Sequence, residues 1–275
     1  MGYISVHLHP PTIEFLEGFS TSLSRMAGGL TAEQARHRTV PIEEFIADMD
    51  AHDIDQSVIL PVDSRTRFRD EVVPNEWVSS LVKRYPDRII GFCSVDPSMG
   101  EEAIRGLEHA VTELGLVGLK LDATKQGWDP TDRKHYPLFE RAQELNIPIT
   151  FHTGWSPGFK MQFGNPVYYD NLAEDFPDLR MNLAHFSWPW ADECMAVAWN
   201  RPNVFFDLAA WKPSYIPDHV VRFINTVNQD KALFSHDYPV IETQKLLDQF
   251  HALGLKPSVV EKVTRLNALR FLGRT

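Results

Sequence analysis

Eight short runs rich in β-branched and aromatic residues punctuate the chain at positions 4–10, 57–62, 89–96, 117–123, 147–153, 181–186, 204–209 and 232–237. Longer amphipathic segments separate them, among them IEEFIADMDAHDI (42–54), EEAIRGLEHAVTELG (101–115), YPLFERAQELN (136–146) and ETQKLLDQFHALG (242–254). Apolar residues in these segments recur at the helical spacing of three and four. Strand and helix therefore alternate, and a strand that returns through a helix to a parallel neighbour crosses over right-handed. Eight such units within 275 residues predict a closed (β/α)8 TIM barrel, a fold that typically takes about 250 residues. An open doubly wound sheet is the competing arrangement, but no G-x-G-x-x-G follows the first run. The expected architecture is one α/β domain over residues 1–275, with an extra C-terminal helix at 257–273 and long loops after strands 1 (11–41) and 5 (155–167).

Charge narrows the partners. With 27 Lys plus Arg against 37 Asp plus Glu, the formal net charge is −10, and no cluster of cations offers a surface for phosphates, so no nucleic-acid partner is expected. No apolar run approaches the roughly 18 residues of a membrane span, and a polar HLHP lies close to Met1. The expectation is a cytoplasmic protein without a membrane partner; a homo-oligomer stays open. Cys93 and Cys194 have no C-x-x-C spacing and are expected to be reduced and buried.

The histidines carry the chemistry. His7 and His9 alternate on strand 1, so a two-residue pleat puts both on one face just before Pro10. His152 ends strand 5 in ITFHTG, His185 ends strand 6 in NLAHFS, and Asp237 ends strand 8 in LFSHDYP. In a closed barrel these ends surround one mouth, and imidazoles and a carboxylate converging there suit a divalent transition metal. His37, His52, His109, His135, His219 and His251 fall in loops or helices and are expected to be solvated. Lys120 ends strand 4 in VGLKLDA. Three roles compete for it: an ion pair with Asp122 or another acid, a contact to a substrate carboxylate, or a carbamylated bridge between two metals.

Several stretches resemble the amidohydrolase superfamily, specifically the branch that includes the aminocarboxymuconate-semialdehyde decarboxylase and resorcylate decarboxylase groups. They are HLHP (7–10), GLKLDATKQGWDPTDRKHYPLFERAQELNIPITFHTG (118–154), NPVYYDNLAEDFPDLRMNLAHFSWPW (165–190), NVFFDLAAW (203–211), HDYP (236–239) and RLNALRFLG (265–273). The resemblance implies a metal held by His7, His9, His152 and Asp237, with His185 as a second-ion ligand or catalytic neighbour. Lys120 occupies the position that is carbamylated in binuclear members. Two residues depart from the pattern: Ser5 stands where the family usually has an acid, and His236 where a small residue commonly precedes the strand 8 aspartate.

These features predict a metal-dependent hydrolase of a small carboxylated ester, lactone or amide, using metal-activated water. Asp237 would be the proton carrier and His185 would steady the oxyanion. Lys120 and Arg65 would grip the substrate carboxylate, and His236 would add an imidazole at the mouth; for a substrate ring, as in the decarboxylation alternative, Trp155 and Trp211, with Trp188 and Trp190, would form an apolar box. The expected ion is zinc ahead of manganese or iron, and one ion rather than two; a second would use Lys120 and His185. The alternative is non-oxidative decarboxylation of an aromatic or unsaturated acid. Behind it stand di-iron oxygen chemistry and a non-catalytic partner subunit.

Overall fold

The computed structural model describes residues 2–9, 40–68, 73–156, 159–236, 238 and 241–274. Most of the loop expected at 11–41, part of the loop at 155–167, and Asp237 lie outside the described residues.

The strands run β1 (Tyr3–Leu8), β2 (Ile54–Ile59), β3 (Ile89–Gly91, continued past Phe92 by Cys93–Ser94), β4 (Leu119–Leu121), β5 (Ile149–Phe151), β6 (Met181–Leu183), β7 (Val204–Asp207) and β8 (Ala232–Leu233). Each pairs in parallel with the next in sequence. Phe92 bridges the two pieces of β3, its N–H going to Ile59 O, while the Cys93 N–H goes to Gly118 O. The ring closes where the Val6 N–H meets Phe234 O at 3.0 Å. The protein is a (β/α)8 barrel.

Strand beginnings follow the sequence reading closely, but the expected strands run several residues too far at their C-terminal ends. There the backbone leaves the ladder and bonds to side chains instead: the Ala209 N–H goes to Asp207, the Asp122 N–H to Gln126 and the His236 N–H to Ser5. Buried backbone groups need partners, and at the mouth those partners are side chains.

Two apolar layers hold the ring. Between strands and helices, Phe45 and Met49 of the helix Ile42–Ala51 pack with Leu8, Ile54 and Ile59, and the layer continues around the barrel. Inside, Ile4, Val6, Val58, Leu60, Ile90, Phe92, Phe205 and Leu233 meet Ala268, Phe271 and Leu272 of the C-terminal helix Asn267–Leu272. That helix closes the end opposite the histidines; Arg180, just before β6, donates to Phe271 O at 2.9 Å. Cys93 and Cys194 are free and buried, as expected. His135 is not solvated: it is buried with its ring 5.2 Å from Trp128.

Candidate metal centre

The first two imidazoles owe their place to a bulge. Along β1, Ser5 pairs with Ser57 but Leu8 with Ile59, so three steps on β1 match two on β2. An extra residue of this kind shifts which side chains face inward. Ile4 and Val6 join the inner apolar cluster and Leu8 the outer one, while His7 reaches side chains of β7 and of the turn after β6. His7 is buried, and its Nδ1 lies 2.9 Å from Asp207 Oδ2; the Nδ1 of His9 lies 2.6 Å from Leu60 O. In both rings Nδ1 donates to an oxygen, which leaves the unprotonated Nε2 with a lone pair to offer a metal.

His185 arrives by a different route. It begins three consecutive left-handed residues, His185, Phe186 and Ser187, with φ of 61°, 37° and 53°. Such conformations are costly for residues with a side chain and persist where the surroundings over-determine them. Here Ser187 Oγ donates to Thr153 Oγ1 (2.8 Å), Thr153 Oγ1 donates to Ala184 O (2.8 Å), and the His185 N–H bonds Asp207 Oδ1 (2.8 Å). The loop after β5 braces the same turn, because the Trp155 N–H bonds Trp188 O at 2.7 Å. Gly154 makes that approach possible: its φ is +82°, and a Cβ there would sit 2.4 Å from Trp188 O. Gly154→Ala is therefore expected to destabilise the protein by more than 1 kcal/mol and to loosen His185; urea unfolding and the exchange rate of the His185 amide check both effects.

The rings form a chain around the mouth. Centroid separations are 5.3 Å for His9 to His7, 4.7 Å for His7 to His185 and 4.9 Å for His185 to His152. Asp207, fully buried at the end of β7, ties the group together: Oδ2 accepts from His7 Nδ1 and Asn182 Nδ2 (2.7 Å), and Oδ1 from the N–H groups of His185 and Ala209 (3.1 Å). His7, His185 and Asp207 offer ligand atoms within 4.8 Å of one another. Because both carboxylate oxygens already accept two hydrogen bonds each, Asp207 serves here as the anchor that orients the rings. Sequence reasoning missed it, although VFFD shows the signal: a carboxylate ending an otherwise apolar strand.

Electrostatics keep the rings neutral. Burial pushes all four below the ordinary 6.5, His7 to about 4, His9 and His185 well below, and His152 in the same direction; the Lys120 charge adds to the effect at each. Burial alone would raise the Asp207 carboxyl, but the hydrogen bonds it accepts from the His7 ring and from the His185 N–H favour the ionised form and hold it below the usual carboxylate range. Neutral imidazoles are the form a metal needs. Among the described residues, the buried His152 Nε2 and His185 Nδ1 have no hydrogen-bond partner. Buried polar atoms without partners, converging with two rings pinned by their far nitrogens, fit a divalent metal ion.

The other expected residues divide. Lys120 is buried at the same end of the lumen, and the Asp122 carboxylate accepts from Thr124 Oγ1 (2.6 Å) and the Lys125 N–H (2.9 Å). The Arg65 guanidinium grips Asp63, Nη2 to Oδ2 at 2.7 Å. Trp155, Trp188 and Trp211 stand together beside the mouth, with centroids 6.3 Å and 4.7 Å apart in turn. His236 is not brought into the cluster: its ring stacks on Phe45 at 5.8 Å, behind the strand. The alternation of β8 explains this, since Leu233 faces the lumen and Phe234 joins the outer layer, as His236 does two residues on.

The family model described as amidohydrolase matches residues 4–274. The chain belongs to the amidohydrolase family. Among curated proteins it is similar to a 2-keto-4-carboxy-3-hexenedioate hydratase of a Sphingobium species, at 28% identity over 40% of this chain and 38% of that one. It is also similar to a 2-amino-3-carboxymuconate-6-semialdehyde decarboxylase of Dictyostelium discoideum, at 28% identity over 72% of this chain and 65% of that one. The matches span less than two thirds of either relative. An uncharacterized TIM-barrel protein from Bordetella bronchiseptica superposes with a TM-score of 0.84 and 26% identity, over 100% of this chain and 99% of that one. A manganese complex of 5-carboxyvanillate decarboxylase from Novosphingobium aromaticivorans shares the fold, with a TM-score of 0.74, 19% identity and coverage of 99% and 96%. No helix among the described residues is long and apolar enough to cross a membrane.

Proposed function

We propose that this amidohydrolase is a metal-dependent decarboxylase of an aromatic or unsaturated carboxylic acid, with manganese or zinc as the ion. The observation that carries the reading is the meeting of four neutral imidazoles with the buried Lys120 at one barrel mouth. That combination attracts a carboxylate. Two comparisons support the class: the Dictyostelium relative is named for decarboxylation, and a decarboxylase of the same fold is complexed with manganese. Hydrolysis, the first expectation from sequence, takes second place because neither of these relatives is named for it.

His7, His9, His152 and Asp237 are the proposed ligands of a single ion, which supplies, when bound, a Lewis-acid centre that polarises a chelated carboxylate and its neighbouring oxygen. Lys120 holds the negative charge of the substrate in place. Trp155, Trp188 and Trp211 offer faces for its unsaturated part. As the carbon–carbon bond breaks, its electron pair stays on the substrate carbon, and His185 or Asp237 relays a solvent proton there while carbon dioxide departs.

A panel of aromatic and unsaturated carboxylic acids, assayed in heavy water with manganese-loaded protein, tests this. Carbon dioxide release with one solvent deuterium on the product carbon is expected. Uptake of ¹⁸O from labelled water by esters or lactones, without carbon dioxide, would return the reading to hydrolysis.

A further inference from the structure

The two residues that depart from the family pattern touch. The Ser5 hydroxyl lies 2.8 Å from His236 Nδ1 and 3.2 Å from the His236 backbone N–H, and neither residue is exposed. They sit on the seam where the barrel closes. Among the described residues a single backbone hydrogen bond crosses it, from the Val6 N–H to Phe234 O. Side chains add further hydrogen bonds across it, the two Ser5 contacts and Ser235 Oγ to His7 O at 2.5 Å, and the rings of Tyr3 and Phe234 meet there at 5.3 Å. Proposed ligands adjoin this seam in sequence: His7 lies on β1 with His9 just past it, and Asp237 follows His236 in the chain.

His236 is an unexpected occupant of its site. Its ring stacks on Phe45 at 5.8 Å with 15° between the planes, and its buried Nε2 has no hydrogen-bond partner among the described residues. A buried polar atom left unmatched costs about 1–3 kcal/mol, and a phenyl ring would stack without that cost. What the imidazole adds is Nδ1, and Nδ1 meets Ser5. Any movement of residue 236 passes to 237 through the chain, and any movement of Ser5 reaches the bulge that presents His7.

We propose that Ser5 and His236 are a matched positioning pair whose hydrogen bond fixes the segment after β8 against β1 and so steadies the bulge that presents His7 as a ligand. The proposal rests on the metal reading given under Proposed function. A small hydroxyl at position 5 faces a large ring at 236, whereas the family pattern expects an acid and a small residue at these positions.

A double-mutant cycle on the full chain tests it, with Mn²⁺ as the probe and free Mn²⁺ followed by electron paramagnetic resonance. Both Ser5→Ala and His236→Phe remove the contact between the Ser5 hydroxyl and Nδ1, Ser5→Ala also removes the acceptor of the His236 N–H, and the phenyl ring keeps the stacking. Each single change is expected to weaken Mn²⁺ binding about ten- to hundredfold, the range for partners that orient a ligand. The double variant should be no weaker than the weaker single one, and the urea midpoint of metal-free His236→Phe should equal or exceed that of the unmodified protein. The exchange Ser5→Asp with His236→Ser should recover binding to within about threefold of the starting protein. Unchanged affinity in the single variants, losses that multiply in the double variant, or, in His236→Phe, a loss of affinity matched by a loss of metal-free stability would each overturn the pair. If His236→Phe fails to fold, His236→Asn takes its place, since its amide oxygen can stand near Nδ1; affinity above that of Ser5→Ala is expected, and affinity equal to it counts against the pair. Failure of the unmodified protein to bind either Mn²⁺ or Zn²⁺ would remove the metal reading and the pair with it, whereas binding that the variants leave untouched removes the pair alone.

Discussion

Asp207→Ala is expected to be the most damaging single change in the molecule. The carboxylate is fully buried and accepts from His7 Nδ1, Asn182 Nδ2 and the N–H groups of His185 and Ala209. Removing it strands four donors in a place where water has little access, and leaving the buried partners of a carboxylate unmatched costs about 3–5 kcal/mol in all. The metal-free protein should lose stability by about that amount, which is a large share of the roughly 5–15 kcal/mol a domain possesses. Metal affinity should fall too, by about ten- to hundredfold, because His7 loses the acceptor that orients its ring. Asp207→Asn separates the two effects: it keeps the volume, yet turns one acceptor into an amide that cannot accept from His7. Urea unfolding of metal-free protein and Mn²⁺ titration are the measurements. Changes below about 0.5 kcal/mol and threefold in both would make Asp207 a space filler.

Acid is expected to unfold the metal-free protein at a pH well above that at which exposed carboxylates protonate. In the fold, burial pushes His7 down to about 4 and His236 to about 3, whereas in the unfolded chain each ring takes up a proton near 6.5. Between those values the unfolded state binds more protons, so stability declines as pH falls, by about 1.4 kcal/mol per unit for each ring. Once pH passes the folded value of a ring, its loss is complete. From pH 6.5 to 4 the two rings together remove about 5 kcal/mol. His9, His152 and His185 shift in the same direction and steepen the fall. Asp207 acts lower down: its carboxyl is depressed in the fold, so its contribution is intact above the unfolded carboxylate value and disappears only as pH falls beyond it. Urea midpoints recorded from pH 7.5 to 4.5 in the presence of a chelator should descend steeply. Saturating Mn²⁺ should raise them most near neutrality and less in acid, because protons and the ion compete for the same nitrogens. A flat profile would mean that the rings are hydrated and titrate normally.

The sequence made the barrel legible because alternation of strand and helix leaves few other arrangements, and the histidines at strand ends could then be brought together by topology alone. Three features stayed hidden for physical reasons. The convergence of His7 and His9 was inferred from a regular pleat, yet a bulge between Ser5 and Leu8 is what turns His7 inward. Asp207 went unremarked because its partners, His7, Asn182 and His185, lie on other strands, and no local spacing announces a contact across the lumen. His236 was expected at the mouth because it adjoins Asp237, but neighbours on a strand face opposite ways, and its ring went to Phe45. His135 misled differently: a polar residue in a connection reads as solvated, and only packing against Trp128 shows otherwise.

The bulge in β1 also divides the labour of a single strand. Below it, Ile4 and Val6 line the apolar floor against the closing helix; above it, His7 and His9 take the inward positions. Even-numbered residues thus serve the floor and odd-numbered ones the chemistry, a half-step change of phase inside six residues of strand. The two halves can drift independently in evolution, since swapping Val6 for another aliphatic residue does not rotate the rings above it. Deleting one residue at the bulge would do the reverse. It would leave the composition of the strand almost intact and turn every ligand on one side of it away from the lumen.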